Sequence, residues 1–233
     1  MGHGAAVPPD LRRRAAGARR GSSRPPCRGG VVSEPDWWAA PPLRTARLRL
    51  DALRLADAPA FLAALGAPEE RDEVVAHLRV PRVTDVRGAG AVIAAALTDR
   101  DRVAYAQRLA DGTFVGTTSF YEIAPAVRAL AIGHTWVARP WWRTFVNTES
   151  KLAMLTRAFD ELRAERVVWH TDIRNVRSQE AIARLGAQHE GVLRHHRIRN
   201  DGSWRDTVQL AMLAQDWPAA RQRLTDRLAA HPG

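Results

Sequence analysis

The chain has 233 residues, 45% of them hydrophobic, a single cysteine and a formal net charge of +10. That length can bury one sizeable core; its apolar runs, such as 91–97, fall far short of the roughly 18–20 residues that cross a bilayer, and Cys27 has no second thiol to pair with. The charge invites a nucleic-acid reading, but Lys151 is the only lysine among 35 basic residues, and outside an arginine-rich start the arginines are spread along the chain. Biased composition accounts for this pattern, and nucleic acid is set aside as the main partner.

Residues 1–42 combine glycine, proline, serine and arginine without a period of 2 or 3.6, so little apolar burial offsets the cost of ordering them. The expectation is a disordered basic tail over 1–42 and a folded domain over 43–230, with Trp37 and Trp38 large enough to dock on the domain surface. No apolar core follows Arg20, as a secretory signal requires, so the reading is cytoplasmic.

In chain order, the alternation of Leu48 and Leu50 with Arg47 and Arg49 predicts a strand. Residues 58–65 predict a helix capped by Asp57, and 69–78 and 89–97 two more. Residues 103–109 and 114–123 form a hairpin around Asp111-Gly112. The next strand, 131–137, places Ile132, His134 and Trp136 on one face. After Arg139-Pro140 a helical period takes over, predicting a helix over 148–162 capped by Asn147 or Thr148, with Leu152, Leu155, Phe159 and Leu162 facing in. A strand over 166–171 and a helix over 175–185 capped by Asn175 complete a crossover that implies parallel pairing. A second hairpin, 192–199 with 204–213, precedes a final helix that opens at Asp216 or Trp217. The fold class is a mixed α/β sheet.

The chemistry concentrates where the strand at 132–137 gives way to a helix. The first turn of a helix exposes unpaired N–H groups and the positive end of its dipole, a site for phosphate, and Arg143 adds a full charge. The same residues also fit a plain junction with a solvated arginine, and both readings stand on the sequence alone. No cysteine pair, HExxH or HxH cluster points to a metal site.

Three blocks, IGHTWV with ARPWWRTFVNTESKL, WHTDIRNVRSQEAIARLGA, and GVLRHHRIRNDGSWRDTVQLAML, resemble the GCN5-related N-acetyltransferase superfamily. Within it they look like the branch that acetylates ribosomal-protein N-termini, over about 43–213. The resemblance implies an acyl-CoA N-acyltransferase fold with splayed central strands. It implies acetyl-CoA as cosubstrate, an amine acceptor that is a peptide N-terminus or a small molecule, direct transfer, and no metal. By the same resemblance Arg143, Thr144, Phe145, Val146, Asn147 and Thr148 hold the pyrophosphate, with two family glycine positions falling on Arg143 and Phe145. Trp136 and Val137 offer backbone to the pantetheine arm, and Asn175 meets it from the second helix; Arg177, flanking the same turn, fits either the nucleotide phosphates or an ordinary exposed charged turn. His134 and Glu122 are the candidate bases and Ser178 lies near the sulfur; no tyrosine follows Gly186, where many relatives have an acid. Asn175 as a simple cap and Ser178 as an ordinary first-turn residue remain open. Trp204, His195 and Arg197 line the acceptor side by the same analogy. The altered glycines and the missing tyrosine keep a non-catalytic acyl-CoA-binding or regulatory protein as the alternative. Monomer and homodimer both fit the composition.

Overall fold

A computed structural model describes residues 34–78 and 80–230. The arginine-rich start and Cys27 lie outside the described residues. Eight strands, β1 (Leu43–Arg44), β2 (Leu48–Ala52), β3 (Arg102–Leu109), β4 (Phe114–Ala124), β5 (Ala129–Val137), β6 (Arg166–Asp172), β7 (Gln188–Ile198) and β8 (Trp204–Leu213), form one sheet in the order β1-β2-β3-β4-β5-β6-β8-β7. Every neighbouring pair is antiparallel except β5 and β6, which the crossover makes parallel.

Helices cover both faces. Against one lie α4 (Phe145–Thr156), α5 (Val176–Ala183) and α6 (Trp217–Ala230), packed around Tyr105, Phe120, Ile132, Met154, Val167 and Met212. Against the other lie α1 (Ala58–Ala64), α2 (Pro68–Val75) and α3 (Val86–Thr98), around Phe61, Ile93, Phe114 and Trp136. Trp37 is buried in the first core, whereas Trp38 is half exposed. Among the described residues no helix is long and apolar enough to cross a membrane.

Three local expectations are corrected. The crossover helix starts at Phe145, not Thr148, because Thr144 takes the cap: it is extended (φ −100°, ψ −172°) and its Oγ1 accepts from the Val146 N–H at 3.4 Å. The helix then widens into a π-turn, Arg157–Glu161. The wider turn keeps Phe159 and Leu162 inward beside Met154, Leu155 and Ala158, and Leu152 only borders the core. Asp57 precedes α1 without a side-chain cap bond; its carboxylate instead accepts from the Arg54 N–H at 2.9 Å and from Arg108.

The third correction shapes the site. Ile132 and Trp136 do not share a face, because β5 carries a bulge between them. Opposite β4, the register jumps from Ser119↔Gly133 to Thr117↔Trp136, with His134 in the left-handed region at φ 48°. The extra residue turns the strand over, sending Ile132 into one core and Trp136 into the other. Gly116 makes the crossing possible: a Cβ there would lie 2.1 Å from the Trp136 carbonyl oxygen. Gln107 fixes the distortion from β3, its Nε2 donating to the carbonyls of Thr117 (2.9 Å) and Trp136 (3.1 Å).

Candidate functional site

β5 and β6 pair only through Ala129↔Arg166, Leu130↔Val167 and Ala131↔Val168. Past that point residues 132–137 follow the bulged β4, while β6 stays in continuous register with β8 from Arg166↔Leu213 to Asp172↔Thr207. Each strand is held by its outer neighbour, so the two part and open a V-shaped gap in the middle of the sheet. Backbone groups left unpaired by such a break need partners, and an extended chain of amides can supply them.

At the open end of the V, β5 passes through the 3-10 turn Arg139–Trp141 into α4. The first amides of α4, at Phe145, Val146 and Asn147, precede its first i→i−4 bond and lie at the positive end of its dipole, that of Val146 also donating to the Thr144 hydroxyl. Arg143 is exposed and sits at φ 63°, so this position keeps a glycine-like backbone while carrying a cation. Phe145 is the first helical residue. Its ring packs edge-on to Trp141 (6.2 Å) and beneath the Arg47 guanidinium (4.0 Å), against the first core and off the helix end. Thr148 is buried one turn further in. A diphosphate fits this turn, because amides, dipole and Arg143 all favour an anion there.

Across the gap, Asn175 is the N-cap of α5, its Oδ1 accepting from the Ser178 N–H at 3.0 Å. The capping reading is therefore realised, and Ser178 stands in that first turn. Trp136 and Val137 line the β5 side; their carbonyls are engaged by Gln107 (3.1 Å) and by Trp142 Nε1 (2.7 Å).

On the face that carries α1–α3, two contacts bridge the V. Near its open end the Arg177 guanidinium lies 4.0 Å over the Trp142 ring. Near its apex Tyr121 reaches from β4 over β5 to β6, its hydroxyl 3.0 Å from His170 Nδ1. Gly133 lets the ring through: a Cβ there would sit 2.7 Å from Tyr121 Cε1. His134, exposed, meets the Tyr121 ring edge-on at 5.1 Å. Glu122, at φ 48°, pairs with Arg197 at 3.2 Å and lies 3.6 Å from His170 Nδ1. Burial, with Glu122 beside it, pushes the Tyr121 hydroxyl well above the usual phenol range, so it stays protonated.

The structure thus gathers His134 and Glu122 around two residues that the sequence reading left out, Tyr121 and His170. The tyrosine beside the gap lies not past Gly186 but on β4, two residues from Ser119 on the same face of a strand whose partner carries a glycine. In the β7–β8 hairpin Trp204 stacks on His195 (5.1 Å, 12°), and Asn200 Nδ2 donates to the carbonyls of Leu78 and Val80, both at 3.1 Å. The hairpin tip and the segment after α2 therefore meet beside this face. Asp172, although acidic and near the gap, is committed to Arg199, whose Nε and Nη2 donate at 2.6 and 2.8 Å.

Comparison with known proteins agrees with this geometry. The family model for the acetyltransferase (GNAT) domain matches residues 47–188. The "Putative ribosomal N-acetyltransferase YdaF" of Bacillus subtilis is 28% identical over 109 residues, 47% of this chain and 58% of that protein. The crystal structure of a "putative acetyltransferase" from T. thermophilus is 36% identical with a TM-score of 0.75, covering 82% of this chain and 99% of its own. RimJ of Mycobacterium smegmatis, solved in complex with CoA-disulfide, shares the fold at 23% identity and a TM-score of 0.68, covering 84% of this chain and 96% of its own.

Proposed function

Because the chain belongs to the GNAT acetyltransferase family, we propose that it transfers the acetyl group of acetyl-CoA to a primary amine, a protein N-terminus or a small molecule, by direct attack of that amine. The observation that carries this reading is the parallel pair β5–β6, which ends after three residue pairs and opens toward the N-terminus of α4. The amides of Phe145, Val146 and Asn147, with Arg143 and Thr144 beside them, hold the pyrophosphate. Trp136 and Val137 border the pantetheine arm on one side, Asn175 and Arg177 on the other. When bound, acetyl-CoA supplies a thioester as the electrophile. The amine arrives through the window between the Trp142–Arg177 and Tyr121–His170 bridges, past His134 and Glu122, and Ser178 stands on the opposite wall.

The acceptor in the name of the B. subtilis relative puts peptide N-termini first in a screen, followed by small amines. Mass spectrometry should find an acetyl adduct on one class with release of free CoA thiol. Free CoA should also raise the melting temperature, with the logarithm of its concentration over Kd. Thermal stabilisation without any adduct would favour the acyl-CoA-binding alternative. The absence of both effects overturns the assignment.

Arg143 gives a second test. Its left-handed backbone costs about 1 kcal/mol for a residue with a Cβ, and its charge faces the phosphate turn. Arg143→Ala and Arg143→Gly should both weaken CoA binding and flatten its salt dependence in calorimetry. The glycine variant alone should also recover about 1 kcal/mol of stability relative to the alanine variant. An unchanged CoA Kd in both removes Arg143 from the site.

A further inference from the structure

The Tyr121–His170 contact belongs to an ordered chain of hydrogen bonds, and the chain fixes which group donates. Arg166 Nη1 donates to Glu190 Oε1 at 2.7 Å, and its other nitrogen pairs with Oε2. The hydrogen bond from Arg166 holds the Glu190 carboxylate below the usual range, so Glu190 only accepts. Gln209 Nε2 must then be the donor to Glu190 Oε2 at 3.0 Å. This turns Gln209 Oε1 toward His170 Nε2, 3.1 Å away, and the ring must carry its proton there. A neutral ring so fixed leaves Nδ1 as an acceptor, and the Tyr121 hydroxyl at 3.0 Å donates to it.

Position gives the pair its use. β5 and β6 separate after Ala131↔Val168, and Gly133 and His170 each lie two residues further on, facing each other at the apex of the gap. Tyr121 crosses there on the open face, so its oxygen stands where an amine entering the window meets the far end of an extended thiol arm.

Resting on the transferase reading above, we infer that Tyr121 is the group that takes the proton from the attacking nitrogen, and that His170, oriented by Gln209 and Glu190, is the positioning residue that receives the tyrosine's own proton. The amine nitrogen bonds to the acetyl carbon and the carbon–sulfur bond breaks. The nitrogen's proton passes to Tyr121 Oη as the hydroxyl proton moves to His170 Nδ1. The thiolate leaves and takes a proton from water. The imidazolium then returns its proton to solvent past Glu122 Oε2, 3.6 Å from Nδ1, so the sum is amide plus thiol. The charged and titratable groups facing the pair are Glu122 from β4, His134 from β5, His196 and Arg197 from β7 and Arg205 from β8.

Two measurements on the full chain test this. Nitrogen-15 spectra of the ring should show His170 protonated at Nε2 with Nδ1 as an acceptor. Tyr121→Phe should shift the Nδ1 resonance toward that of a ring nitrogen without a donor. An Nδ1–H tautomer in the wild type overturns the inference regardless of activity. With the best amine from the acceptor screen, Tyr121→Phe and His170→Gln should each lower kcat about 100-fold while leaving the KM for acetyl-CoA and the stabilisation by free CoA unchanged. A Tyr121→Phe variant with kcat within about twofold of wild type sinks this inference alone. A wild type that acetylates no amine fails the transferase reading and takes the inference with it.

Discussion

Replacing Lys151 with methionine stabilises the protein by about 4 kcal/mol at pH 7, and the advantage shrinks to about 1.4 kcal/mol by pH 9.5. The only lysine of the chain is fully enclosed under the β5 bulge, with Nζ 3.0 Å from Thr118 Oγ1 and 2.7 Å from Thr135 Oγ1. Burial lowers its pKa from 10.5 to about 7. The neutral amine suits the site, since two N–H bonds reach the two threonines. The Thr118 hydroxyl is then free to point to Met154 Sδ (3.2 Å) and that of Thr135 to the Gly133 carbonyl (3.3 Å). The sign follows from proton counting. Between pH 7 and 10.5 the unfolded chain holds a proton on this lysine that the folded chain lacks, so wild-type stability rises with pH by up to about 1.4 kcal/mol per unit. Methionine fills a similar volume, carries no such proton, and leaves the threonine hydroxyls with their other partners. Urea titrations of both proteins at pH 7 and 9.5 read the difference. The upper pH is kept below 10 because burial also raises Tyr105, to about 12, and Tyr121, and these act in the opposite direction above their unfolded values. Parallel stability–pH lines for the two proteins would show that Lys151 stays charged in the fold.

Lys151 also marks the limit of what periodicity can reveal. The strands and helices were legible because their apolar spacing is regular: the hairpin around Asp111-Gly112 and the crossover from β5 to β6 lie where the pattern puts them. A bulge breaks that inference silently, since one extra residue leaves alternation intact on either side. Nothing in IGHTWV announces that His134 turns left-handed, and the decisive residues, Gly116 and Gln107, sit on other strands. The strand-to-helix junction of the candidate site was legible for a different reason. It depends on a helix terminus and on residues contiguous in sequence, from Arg143 to Thr148, and its cap lies three positions before Asn147, at Thr144. The proposed catalytic cluster is assembled from β4, β5, β6, β7 and β8, so Tyr121 and His170 become neighbours only once the register is known. Phe145, which in sequence threatens the phosphate turn, is harmless for a reason equally non-local, the Arg47 guanidinium that holds its ring.

Arg47 is itself held by Glu149, and Glu149→Ala is expected to cost about 3–5 kcal/mol and to weaken CoA binding as well. Glu149 lies one turn into α4 at 2% exposure. Its Oε1 accepts from Arg47 Nε at 2.6 Å, and its Oε2 from the Arg47 N–H at 3.2 Å and from Thr45 Oγ1. A carboxylate so buried is tolerable only because each oxygen is bonded and a guanidinium faces it. Removing it takes away the carboxylate that faces the partly buried Arg47 and frees the turn between β1 and β2 from the helix. The functional consequence follows from the same geometry. Without Glu149, Arg47 no longer stays over the Phe145 ring, and the ring can swing toward the amides of Phe145, Val146 and Asn147 proposed to receive the phosphates. Glu149→Gln keeps the side chain's size and one acceptor oxygen, while its NH2 replaces the other acceptor; it should lose less stability than alanine while retaining most of the CoA affinity. Urea midpoints and calorimetric Kd values for CoA, measured on both variants, separate the two effects. If Glu149→Ala stays within about 1 kcal/mol of wild type, the tether is not what holds the first turn of α4 in shape. If it unfolds the protein but Glu149→Gln binds CoA about ten times more weakly, the charge itself, and not the position of the ring, sets the affinity.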